Sequence, residues 1–179
     1  MTDKEILKRY REGGREEAFR LLVQTYKERL YWHIRRMVLD HDDADDCLQN
    51  VFIKVWQSLD RFRGDAQLYT WLYRIATNET LTFLTKQQTR GDQTVLAAAE
   101  RLSSDSWFDG DQLQAALHKA IAKLPPKQKA VFNLRYFEEM PYEKMAEVLE
   151  TSQGSLKASY HHAYEKVKAA LKEEIDAKY

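Results

Sequence analysis

Residues 124–171 carry the feature that most constrains the fold, a run of helical periodicity broken by one tight turn. The run predicts two successive amphipathic helices, a short break, a third helix, a tight turn and a longer fourth helix. Ala146 lies in the third helix, where two closely packed helices need a small side chain, and residues 151–154 precede the fourth. This layout predicts a helix-turn-helix, in which a supporting helix holds a recognition helix in the DNA major groove.

Local signals place the ends of these helices. Pro125 and Pro126 suit a helix start, where a missing N–H costs least, and Pro141 opens the supporting helix in the same way. Ser152 is a favourable N-cap for the recognition helix. The turn requires a residue with positive φ, and Glu150 occupies that place at a cost of about 1 kcal/mol. The alternative to a helix-turn-helix is a plain helical hairpin that packs its own core.

The remaining sequence is also helical in pattern. Apolar residues recur at spacings of three and four within residues 18–37, 51–59 and 68–84, and strand-type alternation is absent. Residues 89–111 lose this pattern and gain Ser, Asp and Gly. We therefore predict an all-α protein with two helical domains, residues 1–90 and 112–179, joined by a flexible acidic linker over residues 91–111.

The distribution of charge says more than the net charge, which is zero. Residues 61–90 carry five Lys or Arg against two Asp or Glu, whereas residues 91–112 carry one against five. Blocks of opposite sign indicate separate surfaces for different partners, although ordinary solvated helix faces give the same pattern.

No catalytic group is evident, and we predict a protein that is not an enzyme and uses no metal and no cofactor. His161 and His162 lack a set of cysteines or carboxylates at metal-ligand spacing, and no phosphate-binding glycine loop is present. The single cysteine, Cys47, is predicted to be a buried small hydrophobic residue. No apolar run resembles a signal peptide or a membrane span, which predicts a soluble cytoplasmic protein without membrane insertion.

Residues 61–86 combine aromatic rings with cations. Because bases stack on rings while cations bind phosphates, this combination suits single-stranded DNA. The alternative is that the rings belong to the helical core. The rings are Phe62, Tyr69, Trp71, Tyr73 and Phe83, and the cations are Arg61, Arg63, Arg74 and Lys86.

Two segments carry a family resemblance. Residues 43–84, DADDCLQNVFIKVWQSLDRFRGDAQLYTWLYRIATNETLTFL, resemble the paired conserved regions of bacterial sigma factors of the extracytoplasmic-function group. FRGD followed by YTWLYRIATN is the most specific part of this match. Residues 124–163 resemble the promoter-reading second domain of the same proteins. Both segments occur in the order and at the separation typical of that family.

The resemblance implies two functional surfaces in the first domain. The helix after the acidic cluster at residues 42–46 would bind the clamp helices of the RNA polymerase largest subunit through Asp45, Asp46, Gln49, Asn50 and Phe52. For the two aspartates, the alternative is a purely local interaction with the helix dipole. The second surface would capture unstacked non-template bases of the −10 promoter element. Its residues would be Phe62, Arg63, Gly64, Asp65, Tyr69, Thr70, Trp71, Arg74 and Asn78.

The second domain would bind the −35 element as duplex. Helical spacing directs the polar residues of the recognition helix outward and places Leu156, Tyr160, Ala163 and Val167 on its inner face. Relatives have more arginines on this helix, and Ser and His give weaker base discrimination than Arg paired with guanine. The predicted −35 contacts are Arg135, Ser155, Lys157, Ser159, His161 and His162.

In relatives the connector runs through the polymerase cleft, where an acidic chain imitates nucleic acid. Asp92, Glu100, Asp105, Asp109 and Asp111 would suit that role, and a solubilising tether is the alternative. The implied partners are RNA polymerase core, through the clamp helices and the flap region, and promoter DNA. An anti-sigma factor holds many relatives and is a further candidate partner.

The favoured function is therefore that of a sigma factor, which gives RNA polymerase core its promoter recognition and strand opening. One alternative is a helix-turn-helix transcription regulator with an N-terminal sensing or dimerisation bundle. Another is a helical protein-interaction module. Residues 62–78 favour the sigma factor, because a regulator needs no pocket for single-stranded bases.

Overall fold

The computed structural model describes residues 2–64, 66–89 and 111–178, and every regular element in these ranges is helical. The all-α prediction is therefore confirmed. The predicted linker lies outside the described residues, apart from Asp111, which caps the helix that follows it. The elements are α1 (Asp3–Arg11), α2 (Arg15–Val38), α3 (His41–Ser58), a 3-10 turn (Leu59–Arg61), α4 (Leu68–Thr89), α5 (Gln112–Ala122), α6 (Pro126–Tyr136), α7 (Tyr142–Leu149) and α8 (Gln153–Lys178).

Helices α1 to α4 pack around the long α2. Leu22, Leu30 and Ile34 of α2 are buried, as are Val51 of α3 and Leu72 of α4, and all belong to one apolar cluster. These residues follow the spacings of three and four seen in the sequence, because each helix turns one apolar face toward the others. None of the described helices is long and apolar enough to cross a membrane.

Helix α1 was not anticipated from the sequence. The Thr2 hydroxyl accepts a hydrogen bond from the Glu5 amide at 3.3 Å, and the Glu5 carboxylate accepts one from the Thr2 amide at 2.7 Å. This reciprocal pair is a capping box, for which Thr followed three residues later by Glu is the recognised sequence pattern. The signal was therefore present in the sequence and could have predicted the helix.

The helix starts predicted in the second half are confirmed. Helix α6 begins at Pro126 and α7 begins directly after Pro141. The Ser152 hydroxyl accepts from the Ser155 amide at 3.2 Å, as an N-cap should. The prediction of four helices within residues 124–171 is wrong, because α6 is one continuous helix to Tyr136 and only three helices lie there. No helix-breaking residue follows Pro126 before that point, and the buried side chains of α6 continue along its length.

Glu150 ends α7 in the left-handed conformation, with φ 52° and ψ 46°, as the sequence predicted. We expect Glu150→Gly to raise the free energy of unfolding by up to about 1 kcal/mol, because glycine adopts this conformation without strain. The ion pair lost with Arg74 is solvent-exposed and contributes little. Urea denaturation would measure the difference. Glu165→Gly, inside α8, is the control and should lower stability by about 1 kcal/mol. A loss of stability in both variants would contradict the strain at Glu150.

The two halves of the chain are packed together. Helix α7 lies along α4, and α6 contacts both α2 and α4. Met145 and Val148 of α7 are completely buried and belong to the same apolar cluster as Leu72 of α4. The first and second halves therefore share a core rather than touching only at their surfaces.

Candidate nucleic-acid interface

A cavity of about 230 Å³ lies between residues 62, 63 and 66, which come after the 3-10 turn, and the first turns of α4. In this segment the chain bends at Gly64, whose φ of 82° is strained for residues with a side chain. Five of the predicted −10 residues line this cavity. They are Phe62, Arg63, Thr70, Trp71 and Arg74, and the lining is completed by Arg61, Ala66 and Glu147.

Two further predicted −10 residues lie beside the cavity rather than in its wall. Gly64 and Tyr69 line a neighbouring groove that also receives Lys4 and Arg11 from α1. Asn78 is exposed further along α4, and Asp65 is outside the described residues. The structure thus brings together the residues nearest the start of α4, and Asn78 lies one turn beyond Arg74 without lining the cavity.

The cavity combines rings, cations and one unpaired hydroxyl. The rings of Phe62 and Trp71 lie 5.0 Å apart, with their planes at 45°. Thr70 is 1% exposed, and its hydroxyl has no hydrogen-bond partner within the described parts of the chain. A buried polar atom without a partner is costly, so this hydroxyl is suited to bind a polar group that enters the cavity. The surrounding guanidinium groups favour an anionic ligand.

Glu147 is the one lining residue that the second half of the chain contributes. It lies on α7, and it brings a carboxylate to a cavity otherwise bordered by the guanidinium groups of Arg61, Arg63 and Arg74. Sequence reasoning missed it. No local pattern connects position 147 with position 71, because their proximity depends on how α7 packs against α4.

A second candidate surface lies on α3. Asp45, Asp46, Gln49 and Asn50 are all exposed on this helix. The Asp40 carboxylate already accepts the Asp43 amide at 3.0 Å and caps the helix, so Asp45 and Asp46 are not needed for the cap.

Two apolar residues of α3 also belong to this region. Phe52 is half-buried and packs edge-on against Phe19, with ring centroids 6.4 Å apart. Ile53 was missed, yet it is 54% exposed and follows Gln49 by four residues and Asn50 by three. That spacing places all three on one face of the helix, and it could have identified Ile53 from the sequence.

Cys47 is buried on the opposite side of α3, as predicted. Burial, together with the charges of Glu79, Asp43 and Asp46, raises the pKa of its thiol to about 12. The thiol is therefore protonated near neutral pH and is a poor nucleophile and metal ligand. Within the residues that the structure describes, no three His, Cys, Asp or Glu side chains are grouped to hold a metal ion.

The third candidate surface is the recognition helix α8. Ser155, Lys157, His161 and His162 are exposed, whereas Ser159 is half-buried. The inner face is as predicted, since Leu156, Ala163 and Val167 are buried and Tyr160 stacks on Phe132 at 5.8 Å. The outer face of α8 is thus available to a ligand.

Arg135 has an internal role in this structure. Its guanidinium donates to the Met140 carbonyl at 3.1 Å and lies 4.7 Å from the centre of the Tyr142 ring. These contacts hold the turn between α6 and α7. A phosphate contact by Arg135 would have to be made by the remaining guanidinium edge.

A helix-turn-helix joined to a cavity of rings and cations is typical of a class of protein, the helical nucleic-acid-binding proteins. Residues 22–90 match the Sigma-70 region 2 family, and residues 114–167 match Sigma-70 region 4. The RNA polymerase sigma-H factor of Pseudomonas aeruginosa is 31% identical over 185 residues, which cover 94% of this chain and 93% of that protein. The chain belongs to the sigma-70 family of RNA polymerase sigma factors, in its extracytoplasmic-function group.

Other relatives of this chain are also sigma factors of the extracytoplasmic-function group. The ECF RNA polymerase sigma-E factor of Haemophilus influenzae is 29% identical, over 93% of this chain and 94% of that protein. The Escherichia coli sigma-E factor is 28% identical, over 93% of each chain. These matches confirm the prediction of a sigma factor. Such a factor binds RNA polymerase core and promoter DNA and serves promoter-specific initiation.

Solved structures share the fold. CnrH in complex with the cytosolic domain of CnrY superposes with a TM-score of 0.70 at 23% identity, covering 96% of this chain and 98% of that one. The sigma factor RpoE from Bartonella quintana, in complex with the anti-sigma factor NepR, gives 0.66 at 21% identity, covering 86% and 96%. CnrY and NepR are binding partners of the proteins in those two structures.

Proposed function

We propose that this sigma factor opens promoters by capturing non-template bases of the −10 element in the cavity beside Trp71, while α8 binds the −35 element as duplex. The observation that carries the proposal is the cavity itself, with its two rings, its three arginines and the unpaired Thr70 hydroxyl. A base that leaves the duplex loses stacking worth a few kcal/mol, and an aromatic pocket returns that energy.

The size of the cavity fits this use. Its volume of about 230 Å³ is below the range of roughly 300–1,000 Å³ typical of sites for drug-sized ligands. A single flat base is therefore a better match than a larger ligand. The Thr70 hydroxyl would hydrogen-bond an edge of the base, and the arginines would bind the phosphates on either side.

Two further surfaces would bind RNA polymerase core. The exposed face of α3 formed by Asp46, Gln49, Asn50 and Ile53 would contact the clamp helices. An apolar groove of about 430 Å³ lies between α5, α6 and α8, and lysines of α8 border it. This groove is our candidate for the flap region. It is lined by Leu117, Phe132, Tyr136, Tyr164, Val167, Lys168, Leu171, Lys172 and Ile175.

We expect Trp71→Ala to lower run-off transcription by the reconstituted holoenzyme about 10- to 100-fold, because stacking on one base is worth about 1–3 kcal/mol. Binding to core polymerase, measured separately by fluorescence anisotropy, should stay as in the wild type. Trp32→Ala is the control, since Trp32 is a half-buried tryptophan of α2 that does not line the cavity. Wild-type transcription by Trp71→Ala would refute the capture site, and equal losses in both variants would indicate a general loss of structure.

A further inference from the structure

We propose that the groove between α1 and residues 64–69 binds the next nucleotide of the non-template strand, with Lys4 and Arg11 of α1 on its phosphates. This inference rests on the proposed function of the cavity beside Trp71, and it extends that single-base site to a second position. The match to Sigma-70 region 2 begins at residue 22, so α1 lies outside the part of the chain that the family match covers.

The groove adjoins the cavity. It has a volume of about 480 Å³ and lies between α1 and the segment that leads into α4. Ala66 and Glu147 line both the groove and the cavity. Within the first half of the chain, the boundary between the two spaces is therefore Ala66, whose side chain is a single methyl group. A strand with one base in the cavity meets no large side chain at this position on its way into the groove.

Two cations of α1 are available to bind phosphate in this groove. Lys4 and Arg11 are seven residues apart, which is about two turns of helix, and both are exposed and line the groove. Within the residues that the structure describes, neither forms an ion pair with a carboxylate, whereas Arg9 of the same helix pairs with Glu17. Sites for single-stranded nucleic acid place such cations along the phosphates.

The carboxylates of the groove do not neutralise these cations. The Asp3 carboxylate accepts a hydrogen bond from the Tyr26 hydroxyl at 2.6 Å. On the side of α7, Glu147 pairs with Lys144 at 3.9 Å, and both residues line the groove. The charges of α7 therefore offset each other, and the lining as a whole, with three cations and two carboxylates, favours an anionic ligand.

Helix α1 is already fixed in the position that presents its cations. Thr2 and Glu5 form its capping box, and Ile6 is 2% exposed in the apolar core. The Tyr10 hydroxyl donates to the Asp60 carboxylate in the 3-10 turn. Because these contacts order the helix before any ligand arrives, binding would not have to supply the free energy of ordering it.

The opposite wall of the groove supplies a ring for the base. Tyr69 is half-buried in this wall, and its ring packs edge-on against Tyr73, with centroids 6.1 Å apart. Bases of any sequence stack on such rings. Gly64 lines the same wall, and a Cβ atom at this position would meet no other atom within 4 Å, so there is open space beside the backbone. The groove thus offers a ring for a base and cations for its phosphates.

The test measures binding of a single-stranded probe by the holoenzyme. The probe is a fluorescein-labelled oligonucleotide that carries the non-template −10 sequence of a promoter transcribed by this holoenzyme, with flanking nucleotides on both sides. We expect Lys4→Gln/Arg11→Gln to bind it about tenfold more weakly at physiological salt. The slope of the logarithm of the binding constant against the logarithm of the KCl concentration should become shallower by about 1.4, because each phosphate contact on a single strand contributes about 0.7.

Lys8→Gln/Arg20→Gln is the matched control, because it removes one lysine and one arginine at exposed positions that do not line the groove. It should keep the affinity and the slope of the wild type. Equal slopes for the two double variants would refute the groove as a phosphate site.

Trp71→Ala distinguishes failure of this inference from failure of the proposed function. If Trp71→Ala still lowers transcription while Lys4→Gln/Arg11→Gln binds the probe like the control, the groove is refuted and base capture stands. If Trp71→Ala transcribes normally, base capture fails, and the groove then cannot be the position next to a captured base. Loss of affinity in Lys4→Gln/Arg11→Gln but not in its control, together with impaired transcription by Trp71→Ala, is the result that supports both.

Discussion

The free energy of unfolding should fall by about 4 kcal/mol when the pH is lowered from 7 to 5, through the two buried histidines His33 and His118. His33 of α2 is completely buried, with its Nε2 atom 2.9 Å from the Thr77 hydroxyl. His118 of α5 is stacked on Phe137 at 5.3 Å. Burial, with a smaller effect of the Arg36 charge, lowers the pKa of His33 to about 3 and that of His118 to about 4.

The direction follows from proton binding. Below its ordinary pKa of about 6.5, each imidazole takes up a proton in the unfolded chain and remains neutral in the folded chain. The unfolded state therefore binds more protons, and stability present above pH 6.5 is lost as the pH falls toward the folded pKa values. Between pH 7 and pH 5 each histidine accounts for about 2 kcal/mol.

Urea denaturation at both pH values measures this loss. His33→Gln and His118→Gln should each reduce the difference between the two pH values by about half, because each removes one titrating group. His161→Gln, on the exposed face of α8, should retain the full difference. Unchanged pH dependence in both buried variants would show that other groups cause the acid sensitivity.

Replacement of Ile53 by Asp should weaken binding to RNA polymerase core about 100-fold. An apolar side chain that is 54% exposed among Asp46, Gln49 and Asn50 is a candidate anchor for a partner surface. Burying an isoleucine contributes about 1.5–3 kcal/mol, and a carboxylate in its place would add a desolvation cost. A total near 3 kcal/mol corresponds to about 100-fold in the dissociation constant.

A titration of labelled protein with core polymerase measures the effect. Leu113→Asp makes the same kind of change at a comparably exposed position, 58% exposed at the start of α5, and should bind core as the wild type does. Because Ile53 contributes little to the packed interior, the thermal unfolding of Ile53→Asp should stay close to that of the wild type. Normal affinity for core would exclude Ile53 from the interface.

Much of the local structure could be predicted because its determinants lie within a few residues. Pro126 and Pro141 mark helix starts, Ser152 caps α8, and Glu150 adopts the left-handed conformation that the turn requires. The inner face of α8 follows from a period of 3.6 residues. Likewise, the sequence places Gly64 close to the aromatic residues Phe62 and Trp71, which predicts that they belong to one functional segment.

Other features depended on partners far away in the chain. Phe52 of α3 packs against Phe19 of α2, a contact between two helices that the spacing within α3 does not specify. A period of 3.6 residues says which side chains share a face, but it does not say which neighbouring helix covers that face. The helical pattern alone could therefore not separate half-buried from exposed positions.

The sequence by itself determined most of the helices, the family and five of the residues that line the cavity beside Trp71, because caps, turns and apolar spacing act over a few residues. Only the tertiary structure decided that Glu147 borders that cavity, that Lys129 is buried against the end of α2, and that the halves share one core. These contacts join residues that are distant in the chain, and they arise from the packing of whole helices. No local propensity encodes them.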